Sequence, residues 1–277
     1  MSPISPVKSG VQRVLNSVGL LERARASRLY DVYWRVTDPD VLRRRTAEVV
    51  FYRDALQDLT PGALVFDIGA NQGAKTDVFL RLGAKVVAVD PDPVNQRVLQ
   101  QKFRSYRLRA LPVTIVPAAV AAEEGSQTLW IAEPGSAKNT LNRKWVDALQ
   151  QDSTRFGQTL QFGGQQTVPT TTLDQLMTQF GQPFFIKIDV EGAEFDVISG
   201  LRRPVRYLSF EVNLPEFLDE GRACVSRLHD LTERSRFNFL SGTELQLELT
   251  EWLPASEFLP VLGSCPEQSI EVFCKTE

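Results

Sequence analysis

One histidine in 277 residues, His229, leaves little from which to build a Ser-His-Asp or Cys-His enzyme or a His-rich metal site. It falls within Arg222 to Arg234, a mixed-charge stretch that reads as helical, and is expected on the surface of that helix. Cysteine is scarce too. Cys224, Cys265 and Cys274 are an odd number with no C-x-x-C spacing, which argues against a disulfide framework and a Cys-based zinc site and leaves small buried or bystander thiols. No apolar run approaches the roughly 18 residues of a spanning helix, and the N-terminus lacks the basic start and compact apolar core of a secretory signal. The expectation is a cytoplasmic chain without a membrane span. An excess of either charge is also missing: 31 Lys+Arg stand against 34 Asp+Glu, for a net charge of −3. With these charges interspersed there is no basic stripe to neutralise phosphates, so nucleic acid is not an expected partner.

What remains, at 43% hydrophobic and 23% charged, is the make-up of a soluble globular protein long enough for one large domain or a domain with an appendage. The first sixty residues read as a helical extension. Val7, Val11, Val14, Leu15, Val18 and Leu21 fall on one helical face, and Val41, Leu42, Val49, Val50 and Leu56 predict a second helix after the break at Asp38-Pro39. These helices either cover the main domain or form a lid or a homo-oligomer contact. The Arg43, Arg44, Arg45 run reads as a solvated face, its field diluted by Asp38, Asp40, Glu48 and Asp54.

From Pro61 short apolar runs alternate with helical stretches, as in parallel strands joined by crossover helices. Strands are predicted at Leu64 to Ile68, Lys85 to Asp90, Pro112 to Val116, Phe184 to Val190, Tyr207 to Val212, Phe237 to Leu240 and Ile270 to Cys274. Helices are predicted at about Thr76 to Leu82, Pro93 to Arg104, Leu173 to Phe180 and Ala193 to Leu201. This pattern is α/β: a doubly wound, mostly parallel seven-stranded sheet, Rossmann-like, with the last strand antiparallel. Ala132 to Pro169 breaks the rhythm. It is rich in Gln, Gly, Ser and Thr, longer than a usual crossover, and is assigned to substrate binding.

Three strand ends carry the chemistry. The first runs into Asp67-Ile68-Gly69-Ala70-Asn71-Gln72-Gly73 and then a helix near Thr76. Glycines at 69 and 73 permit a sharp turn and close approach of a ligand, and the helix behind offers unpaired N–H groups. A dinucleotide loop wants Gly-x-Gly-x-x-Gly, and its second and third glycines are absent here. The carboxylate at the strand end suits a positive amino or sulfonium group better than a diphosphate. Asp90 ends the second strand, twenty-three residues after Asp67, where an acid accepts hydrogen bonds from ribose hydroxyls. Asp189 ends the fourth, beside the first strand's tip in such a sheet. Glu191 and Glu194 read instead as caps of the helix that starts near Gly192.

The segments Asp67 to Gly73, Asp90-Pro91-Asp92-Pro93, Thr172-Leu173-Asp174 and Lys187-Ile188-Asp189-Val190-Glu191-Gly192 resemble, in order and spacing, the FkbM family of S-adenosylmethionine-dependent methyltransferases, of the class I methyltransferase fold. The resemblance covers roughly Pro61 to Leu214. It implies S-adenosyl-L-methionine as cofactor, with Asp67, Gly69, Ala70, Asn71 and Gly73, ahead of Thr76, at the methionine end, Asp90 and Pro91 at the ribose and Ala118 near the adenine. It implies a small-molecule or glycan acceptor, methylated on oxygen. Where many members carry Glu-x-His at the end of the fifth strand, this chain has Glu211-Val212-Asn213. The expected base is therefore Asp189 or Glu211, with Asn213 orienting the acceptor. Trp130, Asn139, Asn142, Lys144 and Trp145 are candidate acceptor contacts. Carboxylates and an amide at adjacent tips also suit Mg²⁺, although the expectation is that no metal takes part. Two other readings stand beside this one: a nicotinamide-dependent oxidoreductase, and a cofactor-binding scaffold without catalysis.

Overall fold

The computed structural model describes residues 39–104, 113–152, 155, 159–242 and 245–277. The helix expected from Val7 to Leu21 lies outside them, as do the side chains of Val41, Leu42 and Arg44. The second helix is present as α1, Pro39–Ala55. Strands β1 (Leu64–Ile68), β2 (Lys85–Val89) and β3 (Val113–Val116) alternate with helices α2 (Ala74–Arg81) and α3 (Pro93–Lys102). Strands β4 (Ala119–Val120), β5 (Gly125–Ile131) and β6 (Gly164–Thr171) follow, with α4 (Arg143–Gln151) between the last two. Then come α5 (Leu173–Phe180), β7 (Phe185–Ile188), α6 (Glu194–Ser199), β8 (Tyr207–Asn213), α7 (Leu218–Leu231), β9 (Ser235–Ser241), α8 (Ala255–Ser264) and β10 (Ser269–Thr276).

The main sheet has the order β3-β2-β1-β7-β8-β10-β9. β1 pairs in parallel with both β2 and β7, and β10 runs antiparallel to β8 and β9. This is the expected doubly wound sheet. The chain winds outward from β1 to β3, then returns to the other side of β1, so strand order reverses between β1 and β7. Their carboxyl ends part there and leave a crevice.

Alternation of side chains along each strand sorts the core onto two faces. Phe66, Ile68, Val87 and Ile186 pack with α5, α6, α7 and α8. Val65, Val86, Phe185 and Phe273 pack with α2, α3 and α1, whose Phe51 and Tyr52 are buried. Tyr52 meets Phe79 edge-on at 5.1 Å and its hydroxyl donates to Glu271 at 3.2 Å. α1 therefore covers one face of the sheet.

The polar stretch 132–169 is not a plain loop. It holds α4, capped by the Asn142 side chain on the N–H of Lys144, and most of β6, which pairs antiparallel with β5 and parallel with β4 in a second, three-stranded sheet. Two features hid β6. Among Gly164 to Thr171 only Val168 and Thr170 are buried, and Pro169 cannot donate to a ladder. Pro169 is tolerated because β4 reaches only Thr170 and Thr171, so that it has a neighbour on the β5 side alone. Pro260 likewise obscured α8, whose Phe258 and Leu262 are buried. His229 sits on α7, half-buried, with Nδ1 3.5 Å from Ser235 Oγ. Cys224 and Cys274 are buried free thiols.

Candidate active site

The turn after β1 is held in its shape by the strands on either side. Gly69 and Ala70 donate their N–H to Val89 O, at 2.9 and 3.0 Å. Gly69, with φ +78°, lies so close to β7 that a Cβ built on it falls 1.8 Å from Asp189 O. Asn71 is also left-handed, at φ 49°. From α3, Lys102 Nζ donates to Gln72 O and Gly73 O at 3.0 and 2.7 Å, which fixes the turn from outside.

Asp67 does not reach the crevice. It is 2% exposed, and its Oδ2 accepts from the Thr76 hydroxyl at 2.5 Å. Burial raises its pKa, against the Thr76 hydrogen bond and the Lys187 charge. Thr76 is fully buried. Both residues tie β1 to α2 beneath the turn. Asp67, Ala70, Gly73 and Thr76 lie behind the cavity wall, whereas Gly69, Asn71, Asp90, Pro91 and Ala118 line it.

That cavity is an open cleft whose empty space, with the solvent at its mouth counted in, comes to about 530 Å³. At one end Asp90 Oδ2 accepts from Asn71 N at 2.7 Å, and Oδ1 accepts from Asp92 N at 2.9 Å and Asn95 Nδ2 at 3.2 Å. Burial pushes the Asp90 carboxyl up to about 6 in spite of these donors. The wall includes Ala118, Val120 and Leu129, and the far end presents Asp189 and Glu191. Such a cavity suits a ligand with hydroxyl donors at one end, a flat apolar group along the wall and a positive charge at the other end.

Asp189, Glu191 and Glu211 converge at the tips of β7 and β8, with one carboxylate oxygen of each within 4.8 Å of the others. Three adjacent negative charges repel, so the set is stable only if some are neutral or compensated. Burial alone would raise the Asp189 pKa. The Lys187 ammonium, 2.7 Å from Oδ2, outweighs it and holds Asp189 below its ordinary value. Lys187 is itself 3% exposed, and its own pKa is raised by Asp189 and Glu271 against burial. Glu211 is pushed up to about 7 by burial and by Asp189, while Ser269 Oγ donates to its Oε1 at 2.7 Å. Glu191 is raised well above its ordinary value by burial, Glu211 and Asp189.

Contrary to the expectation from sequence, Glu191 does not cap the helix. Its side chain accepts from Trp145 Nε1 at 3.3 Å and faces Asp189 and Glu211, and α6 has no side-chain cap. Glu194 Oε1 does accept backbone N–H groups, from Val190 at 3.0 Å and Gly192 at 3.3 Å. Asn213 is 6% exposed and its amide is committed: Oδ1 accepts from Arg155 Nη1 at 2.9 Å, and Nδ2 donates to Glu211 Oε2 at 3.3 Å. Asn213 thus orients Glu211 in place of facing the crevice alone. Arg155 also donates to Leu214 O and pairs with Glu216 Oε2, both at 2.7 Å, and lies over the Trp145 ring.

The segment 132–142 straps across the cavity and joins its two ends. Gly135 N and Asn139 Nδ2 each donate to Asp92 Oδ2 at 2.8 Å. Thr140 Oγ1 donates to Glu191 O at 2.7 Å, and Asn142 Nδ2 donates to Gly192 O. Of the five residues first considered as acceptor contacts, Asn139 lines the cavity. Trp145 is buried against Phe217, Lys144 pairs with Glu220, and Arg143 covers Trp130. Lys187, Asp92 and Asn95 gained no separate role from sequence. Asp92-Pro93 carried the only local signal, an N-cap followed by proline at N1, which α3 uses.

Glu194 gives the site a signature in stability. Burial, then Glu211, raise it to about 8 from 4.5. Between those values the folded chain holds a proton that the unfolded chain has released, so stability is full below about pH 4.5 and is lost as pH rises through about 8. The thermal midpoint is expected to fall from pH 5 to pH 8. Glu194→Gln, which keeps an acceptor for the two N–H groups, should flatten that fall. It should not abolish it, because the raised Glu211 acts with the same sign. A midpoint that rises over this range contradicts the assignment.

Residues 67–243 match the family described as the methyltransferase FkbM domain. No curated protein matches the chain. Among solved structures it is similar to the precorrin-6y C5,15-methyltransferase of Geobacter metallireducens, at 10% identity over 84% of this chain and 88% of that one, TM-score 0.40. It is similar to the TehB-like SAM-dependent methyltransferase of Corynebacterium glutamicum with the same identity, coverage and TM-score. A third is the plantazolicin methyltransferase BpumL in complex with SAH, at 10% identity over 97% and 99% of the two chains, TM-score 0.41.

Proposed function

Because the chain belongs to the FkbM methyltransferase family, and is thereby an S-adenosylmethionine-dependent methyltransferase, we propose that it methylates a hydroxyl oxygen of a sugar, a glycan or a secondary metabolite. The residues present fit the cofactor. Asp90 offers acceptors for ribose hydroxyls, Ala118 and Leu129 give an apolar wall for a base, and Asp189 gives an ionised carboxylate for the positive end. Asn95 lines the same space as a residue, and its buried Oδ1 has no hydrogen-bond partner among the described residues. When bound, S-adenosylmethionine supplies a methyl group on a positively charged sulfur.

The chain's own contribution is placement and a proton acceptor. Holding two reactants in line can contribute roughly 7–11 kcal/mol. The observation that carries the choice of oxygen is Glu211: a carboxylate with a pKa near 7, at a strand tip next to the cofactor cavity. A hydroxyl must lose its proton as its bond to carbon forms, and a base matched to neutral pH speeds that step. Asp189, pinned to Lys187 and held at low pKa, is the weaker base and the better counter-charge. Asn213 and Ser269 fix the Glu211 carboxylate. With Glu211 in that role, the absence of the family's histidine does not leave the site without a base.

Incubation with isotopically methyl-labelled S-adenosylmethionine and a panel of glycosides and polyketides tests this. The expected result is label in a methyl ether, with S-adenosylhomocysteine released in equal amount. Label found only on carbon or nitrogen rejects oxygen transfer. Titration with S-adenosylhomocysteine and with NAD separates the methyltransferase from the oxidoreductase.

A further inference from the structure

β8 and β10 run antiparallel, with Glu211 directly opposite Glu271. Phe210, Val212, Ile270 and Val272 pack on one face of the sheet, so alternation turns both carboxylates to the other face, under α1. Like charges directly opposite each other on two strands repel. Here each is held by the serine of the facing strand: Ser269 Oγ donates to Glu211 Oε1 and Ser209 Oγ to Glu271 Oε1, both at 2.7 Å. From α1 the Tyr52 hydroxyl shares its proton between the two Glu271 oxygens, at 3.2 and 3.4 Å, which pins that carboxylate a second time. Glu271 does not line the cavity. Tyr52, Ser269 and Glu271 also lie outside residues 67–243, the stretch that matches the family.

Resting on Glu211 as the base, we infer that Glu271 is a positioning residue for methyl transfer: Tyr52 and Ser209 fix its negative charge opposite Glu211, where it makes Glu211 the readier proton acceptor. The hydroxyl proton passes to Glu211 as the acceptor oxygen takes the methyl group, and Glu271 neither gains nor loses a bond. The other charged groups around Glu211 are Asp189, Glu191 and Lys187 at the end of β7, Glu194 of α6, and Arg155, which reaches it through Asn213. Burial and Asp189 raise Glu211, Ser269 and Lys187 lower it, and Glu271 raises it further. The Lys187 ammonium is committed to Asp189 at 2.7 Å, so it does not cancel the charge of Glu271 at Glu211.

Carbon-13 NMR of the chain labelled at glutamate Cδ, titrated with pH in the presence of S-adenosylhomocysteine, tests this. The Glu211 signal is identified by its absence in Glu211→Gln. Glu271→Gln, whose oxygen can take the Oε1 place and accept from both hydroxyls, should lower the Glu211 midpoint by on the order of one pH unit. Glu271→Asp keeps the charge and should stay closer to the wild type. With the acceptor found by labelling, the midpoint of the rate should fall together with that of Glu211 in Glu271→Gln. A Glu211 midpoint that does not move in Glu271→Gln, even where the thermal midpoint drops, leaves Glu271 a structural role alone and overturns the inference. An equal shift in Glu271→Asp overturns it too. If Glu271→Gln does not fold, Glu271→Met carries the comparison, and a wild-type Glu211 midpoint at or below the ordinary 4.5 rejects the inference by itself. Near-normal turnover in Glu211→Gln refutes the reading of Glu211 as base, which is a different failure.

Discussion

Glu211→Gln is expected to lower turnover by about 10²- to 10⁴-fold, the range a positioned base supplies, while affinity for S-adenosylhomocysteine changes little. Gln keeps the volume of Glu, its oxygen can accept from Asn213 Nδ2, and the Ser269 hydroxyl can rotate to accept from its amide, so the fold at the tip of β8 is preserved. What disappears is the group that titrates near 7. The wild-type rate should rise with pH as that group ionises and level off above it. Because Asp189, Glu191 and Glu211 lie within 4.8 Å of one another, the midpoint belongs to the cluster more than to one residue. Steady-state kinetics on the acceptor found by labelling, with calorimetry in parallel, checks both halves. Near-normal turnover in both Glu211→Gln and Asp189→Asn, with cofactor still bound, would show that neither carboxylate is the base.

Gly69→Ala should abolish cofactor binding and unsettle the sheet edge, for a reason that polarity cannot repair. The new methyl would sit 1.8 Å from Asp189 O and 2.8 Å from Asp189 C, both backbone atoms of the neighbouring strand end. Neither can swing away as a flexible side chain does. The φ of +78° adds the strain of a left-handed residue. Together these cost about 2–5 kcal/mol, as the sum of left-handed strain and overpacking. The tips of β1 and β7 must also separate, and misplacement of about 1 Å is enough for a loss on the order of 10²-fold. Gly62→Ala is the control. It has a similar φ of +86° but nothing among the described residues within 4 Å of the added methyl, so it should show only the backbone penalty and bind normally. Thermal melts and S-adenosylhomocysteine titration of both variants separate the two contributions. Equal behaviour would mean that close packing against Asp189 does not matter.

The parallel strands were legible because burial on both faces leaves them little choice of residue. Leu64–Ile68 and Lys85–Val89 read as apolar runs with an acid or its neighbour at the tip. The small sheet was not legible. β5 buries one residue and β6 two, so their sequence looks like a polar connection, and only the pairing of one with the other reveals strands.

The candidate site divides along the same line. Sequence placed Asp90, Asp189 and Glu211 at strand ends, and a doubly wound sheet gathers such ends at one edge. It gave no sign that Asp67 turns inward to Thr76, that Lys187 neutralises Asp189, or that Asn213 is spoken for by Arg155. Those pairings join residues up to 58 positions apart. Periodicity along a chain fixes which face a side chain takes. Which partner it meets there, and so which of several acids holds a proton at neutral pH, depends on distance and burial, and these exist only once the strands have been brought side by side.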